Sequence, residues 1–199
     1  MHKFLSMLAE SGRELKKVKV MTFCAMLAAL AVVLSYVSSI NIGPYIRIGF
    51  SNIPNQLVDL FFGPTTGALF GAILDVLKYL IKPDGAFFFG FTFDAMLAAF
   101  IYGCFYYKRP LELWRVLAAD GLVALIVNVG LATYWLSVLY GQGFMALLPA
   151  RALKNVIMWP IESVIYYVLA KALQRTGVFN DFLVFKPEKN KKSEKRQPA

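Results

Sequence analysis

Long apolar runs, separated by short polar or basic segments, are the feature that most limits what this chain can fold into. The first run extends from Val20 to Val37, and comparable runs recur along most of the sequence. A helix needs about 20 predominantly apolar residues to cross the hydrocarbon core of a bilayer. Because 58% of the 199 residues are hydrophobic and 17% are charged, the chain is more apolar than a soluble domain. The sequence therefore predicts an all-α, polytopic membrane protein.

Turn residues divide the apolar runs into a predicted six-transmembrane-helix bundle. The predicted helices are 20–37, 52–62, 64–81, 91–107, 113–139 and 147–173. Gly63 and Pro64 separate the second helix from the third, because both residue types interrupt helices. The second is too short for a straight crossing, so we expect it to be tilted or broken and packed inside the bundle. The predicted domains are an amphipathic basic lead-in (1–19), a transmembrane domain (20–176) and a basic tail (177–199).

Lysine and arginine are concentrated in the segments 1–19, 108–115 and 171–199, which hold 16 of the 21 cations. Such clusters mark cytoplasmic segments, and an even number of helices puts both termini on one side, so both termini are predicted to be cytoplasmic. A basic chain can also bind nucleic acid, but no basic stripe is interleaved with a soluble fold here, and we expect no nucleic-acid partner. The first run could instead be a signal peptide, but the long lead-in and the lack of a clear cleavage site favour a retained helix.

Two cations and an amide lie inside the last predicted helix, in the stretch RALKNVIMWPIES: Arg151, Lys154 and Asn155. Their spacing of i, i+3 and i+4 puts them on one helix face, and Glu162 lies deeper on that face. Charged residues within a span are costly and usually face a cavity, and the planar guanidinium of arginine suits carboxylates. This pattern predicts an outward-open pocket for a carboxylate ligand. The alternative is that both cations lie at the interface and snorkel toward water.

Two aspartates within predicted helices are further candidates. Asp75 lies three residues before Lys78, so the two side chains can pair with each other. Asp75 can instead face the pocket and accept hydrogen bonds from a heterocycle. Asp94 has the same two interpretations.

Aromatic side chains gather near the predicted outer face. They are the run FFFGF at 87–91, which contains Phe88, together with Tyr36, Tyr45, Trp135 and Trp159. Aromatic belts at membrane interfaces have this composition, so the cluster can be purely interfacial. Flat ligands stack on such rings, so a binding surface is the second interpretation.

Small residues recur at four-residue steps in two helices, where they allow close helix approach. For Gly63, Gly67 and Gly71 we expect packing inside the bundle. Ala25 and Ala29 lie near the cytoplasmic end of the first helix, where docking against another membrane subunit is possible.

The sequence lacks the common catalytic motifs. It contains no G-x-x-x-x-G-K-[ST], no H-E-x-x-H and no nucleophile elbow. Its single histidine, His2, lies in the lead-in, and Cys24 and Cys104 have neither metal-ligand nor disulfide spacing. We therefore expect no catalytic residue, no metal and no cofactor in this chain.

Two segments together resemble a known family. They are RIGFSNIPNQLVDLFFGPTTGALFGAILDVLKYLIKPDGAFFFGFTF, residues 47–93, and RALKNVIMWPIES, residues 151–163. The combination of FGP-x-x-G, P-x-G-x-F-F-x-G-F-T and R-x-x-K-N resembles the folate-specific substrate-binding (S) components of energy-coupling-factor (ECF) transporters. The similarity covers about residues 15–175.

The resemblance implies a vitamin-uptake subunit of a bacterial plasma membrane, without enzymatic activity of its own. Such a subunit associates with a transmembrane coupling subunit and two cytoplasmic ATPases, and the family's transport scheme has the S component topple in the bilayer. Ala25 and Ala29 match the A-x-x-x-A motif by which the family contacts the coupling subunit.

The resemblance also implies a folate site near the outer surface. The residues assigned to it are Arg151, Lys154, Asn155, Asp75, Phe88, Trp159 and Tyr36. As hypotheses, Arg151 and Lys154 meet anionic or carbonyl oxygens, and Asn155 hydrogen-bonds the pteridine. Asp75 accepts from the amino edge of the pteridine, while Phe88 and Trp159 stack on the ligand. The rival interpretations are an S component for another heterocyclic vitamin, a membrane-embedded enzyme and a structural membrane protein.

Overall fold

The computed structural model describes residues 2–15, 17–37, 40–42, 46–48, 51–83 and 85–176. Its elements are α1 (His2–Glu14), α2 (Val18–Val37), β1 (Ile40–Ile42), β2 (Ile46–Ile48), α3 (Ile53–Phe62), α4 (Pro64–Ile81), α5 (Phe89–Tyr106), α6 (Leu113–Val123), a π-helical segment (Ala124–Leu131), α7 (Ala132–Tyr140) and α8 (Phe144–Thr176). Helices account for most of this part of the chain, which confirms the predicted helical class. The predicted basic tail, 177–199, lies outside the described residues.

Five described helical stretches are long and apolar enough to cross a membrane. They are Val18–Val37, Pro64–Ile81, Phe89–Tyr106, Leu113–Tyr140 and Phe144–Arg175. Large apolar side chains such as Leu80 and Phe89 are more than two-thirds exposed on the surface of the bundle, as expected where lipid replaces water. These stretches correspond closely to the first predicted helix and to the third through sixth, so the polytopic membrane prediction is confirmed.

Helix α3 is short and lies inside the bundle, as its length predicts. It spans Ile53–Phe62, with a proline in its first turn, and most of its side chains are buried. Gly63 ends it with φ of +85°, a conformation that glycine adopts at no steric cost. A Cβ atom at Gly63 would lie 2.8 Å from the ring of Tyr107, so this turn also needs the space that glycine leaves.

The glycines of α4 let its neighbours approach closely, which confirms their predicted packing role. A Cβ at Gly67 would lie 1.7 Å from the Oδ1 atom of Asp59 in α3. A Cβ at Gly71 would lie 3.0 Å from the main-chain oxygen of Ala95 in α5. Helices α3, α4 and α5 therefore form a tightly packed group.

Two segments depart from the regular pattern that the sequence predicts. The predicted loop between α2 and α3 contains a short antiparallel hairpin, in which Ile40 pairs with Ile48 and Ile42 with Ile46. The predicted fifth helix is continuous from Leu113 to Tyr140, but its middle part is π-helical. A π-helical turn is rare, and apolar periodicity does not distinguish it from an α-helix.

The lead-in forms α1, which docks on the junction between α3 and α4. The hydroxyl of Ser11 is fully buried and donates to the main-chain oxygen of Phe62 at 2.6 Å. The amides of Thr65 and Thr66 both donate to Ser11 Oγ at 3.1 Å, so a side chain of α1 caps the first turn of α4. Lys108, in the connection between α5 and α6, forms an ion pair with Glu10 of α1.

Replacing Ser11 by Ala should weaken this docking. Two amides and a carbonyl would lose their partner in a buried site, which costs about 1–3 kcal/mol of the free energy of unfolding. Thermal unfolding of the detergent-purified protein measures the loss. Thr22→Ala is the matched control, because the Thr22 hydroxyl is exposed and bonds only within its own helix, to the oxygen of Val18. Equal stability of both variants would contradict the capping function of Ser11.

Candidate functional site

The polar face of α8 points into the bundle. Asn155 is buried, with 6% of its surface exposed, while Arg151 and Lys154 are half-buried. A guanidinium nitrogen of Arg151, Nη2, donates to the main-chain oxygen of Asn128 at 3.1 Å. Asn155 Nδ2 donates to the main-chain oxygen of Arg151 at 3.0 Å, which ties the amide to its own helix. The face is therefore not simply a row of cations that snorkel to the interface.

The acceptor for Arg151 lies in the π-helical segment. Asn128 is in the middle of Ala124–Leu131, where the wider turn changes the direction of the main-chain carbonyls relative to a regular α-helix. Side-chain insertion and π turns commonly coincide with functional sites. The sequence did not identify Asn128, because the contact uses a main-chain atom and leaves no residue-type signal.

Asp94 of α5 supplies a carboxylate close to this face. Its carboxylate lies within electrostatic range of Arg151 and of Asp75. Trp135 of α7 donates its indole N–H to Asp94 Oδ1 at 3.1 Å. Asp94 is 6% exposed, and its second oxygen, Oδ2, is buried without a hydrogen-bond partner among the described residues. One strong acceptor of the site is thus left unused.

Aromatic rings pack beside this carboxylate. The ring centroids of Phe88 and Trp135 are 5.5 Å apart, and those of Phe88 and Phe91 are 6.1 Å apart. Gly90 makes this packing possible: a Cβ there would lie 2.5 Å from the Phe88 ring and 2.7 Å from the Trp135 ring. Asp94 and Trp135 therefore connect the aromatic run at 87–91 with the polar face of α8: Trp135 packs on Phe88, and Asp94 lies within electrostatic range of Arg151.

The described contacts of Asp75 and Lys78 go to different partners. Asp75 Oδ2 accepts a hydrogen bond from Thr92 of α5 at 2.8 Å. Lys78 Nζ donates to the main-chain oxygen of Ser51 at 3.1 Å and to its hydroxyl at 3.2 Å. Asp75 therefore lies near Asp94 at the α4–α5 interface, with one oxygen already engaged.

Lys154 and Glu162 contribute a second charged pair to the inner face of α8. Both are half-buried and lie within electrostatic range of each other. In the described part of the chain, neither forms a hydrogen bond. Because its three N–H donors are unused, Lys154 can meet an incoming anion without first breaking a hydrogen bond.

The described hydrogen bonds of Tyr36 and Trp159 go to main-chain oxygens of neighbouring helices. Tyr36 is 52% exposed, donates its hydroxyl to the main-chain oxygen of Ile81 at 2.9 Å and has Lys82 over its ring. Trp159 donates its indole N–H to the main-chain oxygen of Leu117 at 2.8 Å and covers Gly121 of α6. By these contacts, Tyr36 lies at the edge between α2 and α4, and Trp159 lies between α8 and α6.

A second polar group lies deeper in the bundle, and the sequence did not identify it. Asp120 of α6 accepts from Gln56 Nε2 at 3.1 Å and from the Ser163 hydroxyl at 2.6 Å. These residues are each buried and join α3, α6 and α8. Asp120 interrupts an otherwise apolar run, and that interruption is the sequence signal that could have identified it.

Ala25 and Ala29 lie on the outer side of α2. The opposite side of this helix packs into the core through Phe23, Leu27 and Ala31. Ala25, Ala29 and neighbours such as Met26 are exposed. The two alanines thus form a smooth surface that no described part of the chain covers.

Taken together, these side chains can bind a flat ligand with anionic groups. Arginine and lysine match carboxylates, Asp94 and Asn155 match the N–H and C=O groups of a heterocycle, and the rings supply stacking surfaces. The described residues contain no group of three or more His, Cys, Asp or Glu residues that could hold a metal ion. A helical membrane bundle with such a face belongs to the class of membrane-embedded ligand-binding proteins.

Comparison with known proteins identifies the family within this class. The sequence model described as "ECF transporter, substrate-specific component" matches residues 19–170. A "Folate transporter FolT" of Clostridium novyi (strain NT) is 38% identical over 171 residues, which are 86% of this chain and 99% of that protein. Another protein of that name, from Leuconostoc mesenteroides, is 41% identical over 152 residues, 73% of this chain and 80% of the relative.

A solved structure shows the same likeness. It is described as "Crystal structure of FolT bound with folic acid", and it matches with a TM-score of 0.73 and 34% identity over 78% of this chain and 95% of that one. The chain belongs to the family of substrate-specific components of ECF transporters. The family match begins at residue 19, after α1.

Proposed function

We propose that this chain is the folate-binding S component of an ECF vitamin-uptake transporter. Its family membership, and relatives that bear the name folate transporter, support this function. The observation that carries it is the inward-facing Arg151, held by the Asn128 carbonyl beside Asp94 and the Trp135 ring. This arrangement offers one cation, one acceptor and one flat ring to the same ligand.

The ligand's anionic part fits the cations of α8. Lys154 has no hydrogen bond among the described residues, and the guanidinium of Arg151 carries five N–H donors, one of which bonds to the main-chain oxygen of Asn128. Lys154 and Arg151 would bind carboxylate or carbonyl oxygens of the folate. Asn155 uses its amide nitrogen within α8, so its side-chain oxygen remains to accept a hydrogen bond from the heterocycle.

The amino edge of the pteridine fits Asp94 better than Asp75. Asp75 already accepts a hydrogen bond from Thr92, whereas Asp94 Oδ2 has no described partner. Phe88 and Trp135 lie next to Asp94, where a flat ring could stack. Because Oδ2 is buried and these two rings contact each other, we expect the rings to separate when the ligand binds.

The remaining features follow from the proposed transport function. The protein would span a bacterial plasma membrane several times, with the lead-in 1–19 and the tail 177–199 on the cytoplasmic side. A transmembrane coupling subunit would dock on the Ala25–Ala29 surface of α2, and two cytoplasmic ATPases would supply the energy. Toppling in the bilayer would then carry the ligand across, without enzymatic activity in this chain.

Tryptophan fluorescence should report folate binding, because Trp135 lies in the proposed site. Purified protein is titrated with folic acid and, in parallel, with riboflavin and thiamine, and we expect quenching by folic acid alone. Arg151→Ala should weaken binding by about 5- to 150-fold, because a charged hydrogen-bonding group is lost. Arg109→Ala, at an exposed loop position, is the matched control. Quenching by another vitamin but not by folic acid would refute the folate assignment.

The two aspartates can be separated by a pair of variants. Asp94→Asn should lower the affinity for folic acid by about 10- to 100-fold, because a charge-assisted acceptor facing the amino edge is lost. Asp75→Asn should change the affinity less, because Asp75 Oδ2 already accepts a hydrogen bond from Thr92. Calorimetric titration of both variants, after their folding is checked by thermal unfolding, makes the comparison. A larger loss of affinity for Asp75→Asn would indicate that Asp75, and not Asp94, accepts from the amino edge of the pteridine.

A bulky residue on α2 should prevent assembly without affecting the ligand site. Ala29→Leu adds volume to the exposed surface where close helix approach is expected. The variant should bind folate normally but recover less coupling subunit in co-purification. Ala172→Leu, at an exposed position of α8, is the matched control. Equal recovery for both variants would exclude the Ala25–Ala29 surface as the docking site.

A further inference from the structure

One buried carboxyl group takes no part in the proposed folate site. Asp59 lies in α3, none of its surface is exposed, and both side-chain oxygens lack a hydrogen-bond partner among the described residues. Its main-chain oxygen is engaged, since it accepts from the amide of Gly63 at 3.1 Å. An ionised carboxylate without a partner is very costly to bury, and more so inside a membrane domain.

No described residue forms an ion pair with Asp59. The titratable groups whose electrostatic interactions include Asp59 come from α2, α5 and α8; among them are Cys24, Cys104, Tyr106 and Tyr166. Thiols and phenols are not cationic at any pH. From α4 the carboxyl meets Gly67, whose missing Cβ leaves the space that Oδ1 occupies. A charged Asp59 would therefore lack a counter-ion in this packing.

The nearest helix start, that of α4, does not compensate the charge either. A free helix N-terminus stabilises anions through its unpaired amides. Here the amides of Thr65 and Thr66 donate to Ser11 Oγ, because α1 is docked on the junction.

The two neighbouring phenols do not donate to Asp59 either. The Tyr166 hydroxyl donates to the main-chain oxygen of Gln56 at 3.2 Å. The Tyr106 hydroxyl is buried and, like Asp59, has no partner among the described residues.

We propose that Asp59 is a proton-binding site inside the membrane domain. The carboxyl group holds a proton while α3 is packed against α4, and it releases that proton when water reaches the α3–α4 interface. A bound metal cation would need several hard oxygen ligands, and two thiols, two phenols and a glycine Cα do not form such a set. An asparagine at this position would fill nearly the same space. Unlike an asparagine, the carboxyl group can lose a proton and become charged when the packing opens.

Infrared spectroscopy of the full-length, ligand-free protein tests this proposal. At neutral pH the protein should show the C=O stretching band of a protonated carboxylic acid, and this band should shift in D2O. Asp59→Asn should reduce this band, while other buried carboxyl groups such as Asp94 can still contribute to it. Asp75→Asn is the matched control, because Asp75 is half-buried and hydrogen-bonded to Thr92, and it should leave the band unchanged. A band of unchanged intensity in Asp59→Asn, or no band in the unmodified protein, would overturn the proposal.

Two further measurements keep the test independent of that variant's folding and of other ions. In the first, the unmodified protein is labelled with 13C at the aspartate side-chain carboxyl, and the band should shift to lower frequency. The shifted band should also be present in a labelled variant in which Asp75, Asp94 and Asp120 are replaced by Asn. The spectrum is also recorded with Na+ replaced by a bulky organic cation. A band that appears only without Na+ would mean that a metal cation occupies the site, and this would refute the proton assignment. Because no folate is present, neither result depends on the proposed transport function.

Discussion

The cost of placing a guanidinium inside a hydrophobic bundle organises the proposed binding site. Arg151 cannot be left without acceptors in such surroundings, because an unpaired buried charge is strongly destabilising. The fold provides the Asn128 carbonyl at 3.1 Å and the nearby carboxylate of Asp94. The carbonyl that accepts from Arg151 and the nearby carboxylate both come from other segments of the chain, so the surroundings of the charge on α8 depend on the π-helical segment and on α5.

Close packing around α4 brings together two carboxylates of the proposed site. Small residues at Gly67 and Gly71 let α3 and α5 approach α4 more closely than larger residues would allow. This packing holds Asp75 and Asp94, on different helices, within electrostatic range of each other. Because tightly packed interiors deform little, the spacing between the two carboxylates is a property of the backbone and not of flexible side chains.

Much of the fold could be predicted from the sequence. Apolar runs and turn residues predicted the bounds of the transmembrane helices closely, and Gly63 and Pro64 predicted that α3 is short. The inward direction of the α8 polar face was one of two interpretations that the spacing left open. Only tertiary contacts distinguish a cation that reaches water from one that reaches Asn128.

Other features left no signal in the sequence. The π-helical segment has the same apolar character as an α-helix, and the contact to Arg151 uses a main-chain oxygen. Aromatic composition alone could not separate Phe88 and Trp135, which pack together, from Tyr36 and Trp159, which contact other helices. Nor could spacing show that the described contacts of Asp75 and Lys78 go to Thr92 and Ser51.

The one-sided packing of α2 makes its inner side the link between the uncovered surface and the interior. That side meets α3 through Phe23, whose ring lies edge-on to Phe61 and Phe62 with centroids 5.5 Å and 5.6 Å away. Through Gln56 and its hydrogen bond to Asp120, α3 is in turn joined to α6. A continuous series of contacts therefore connects the periphery of the bundle with its centre.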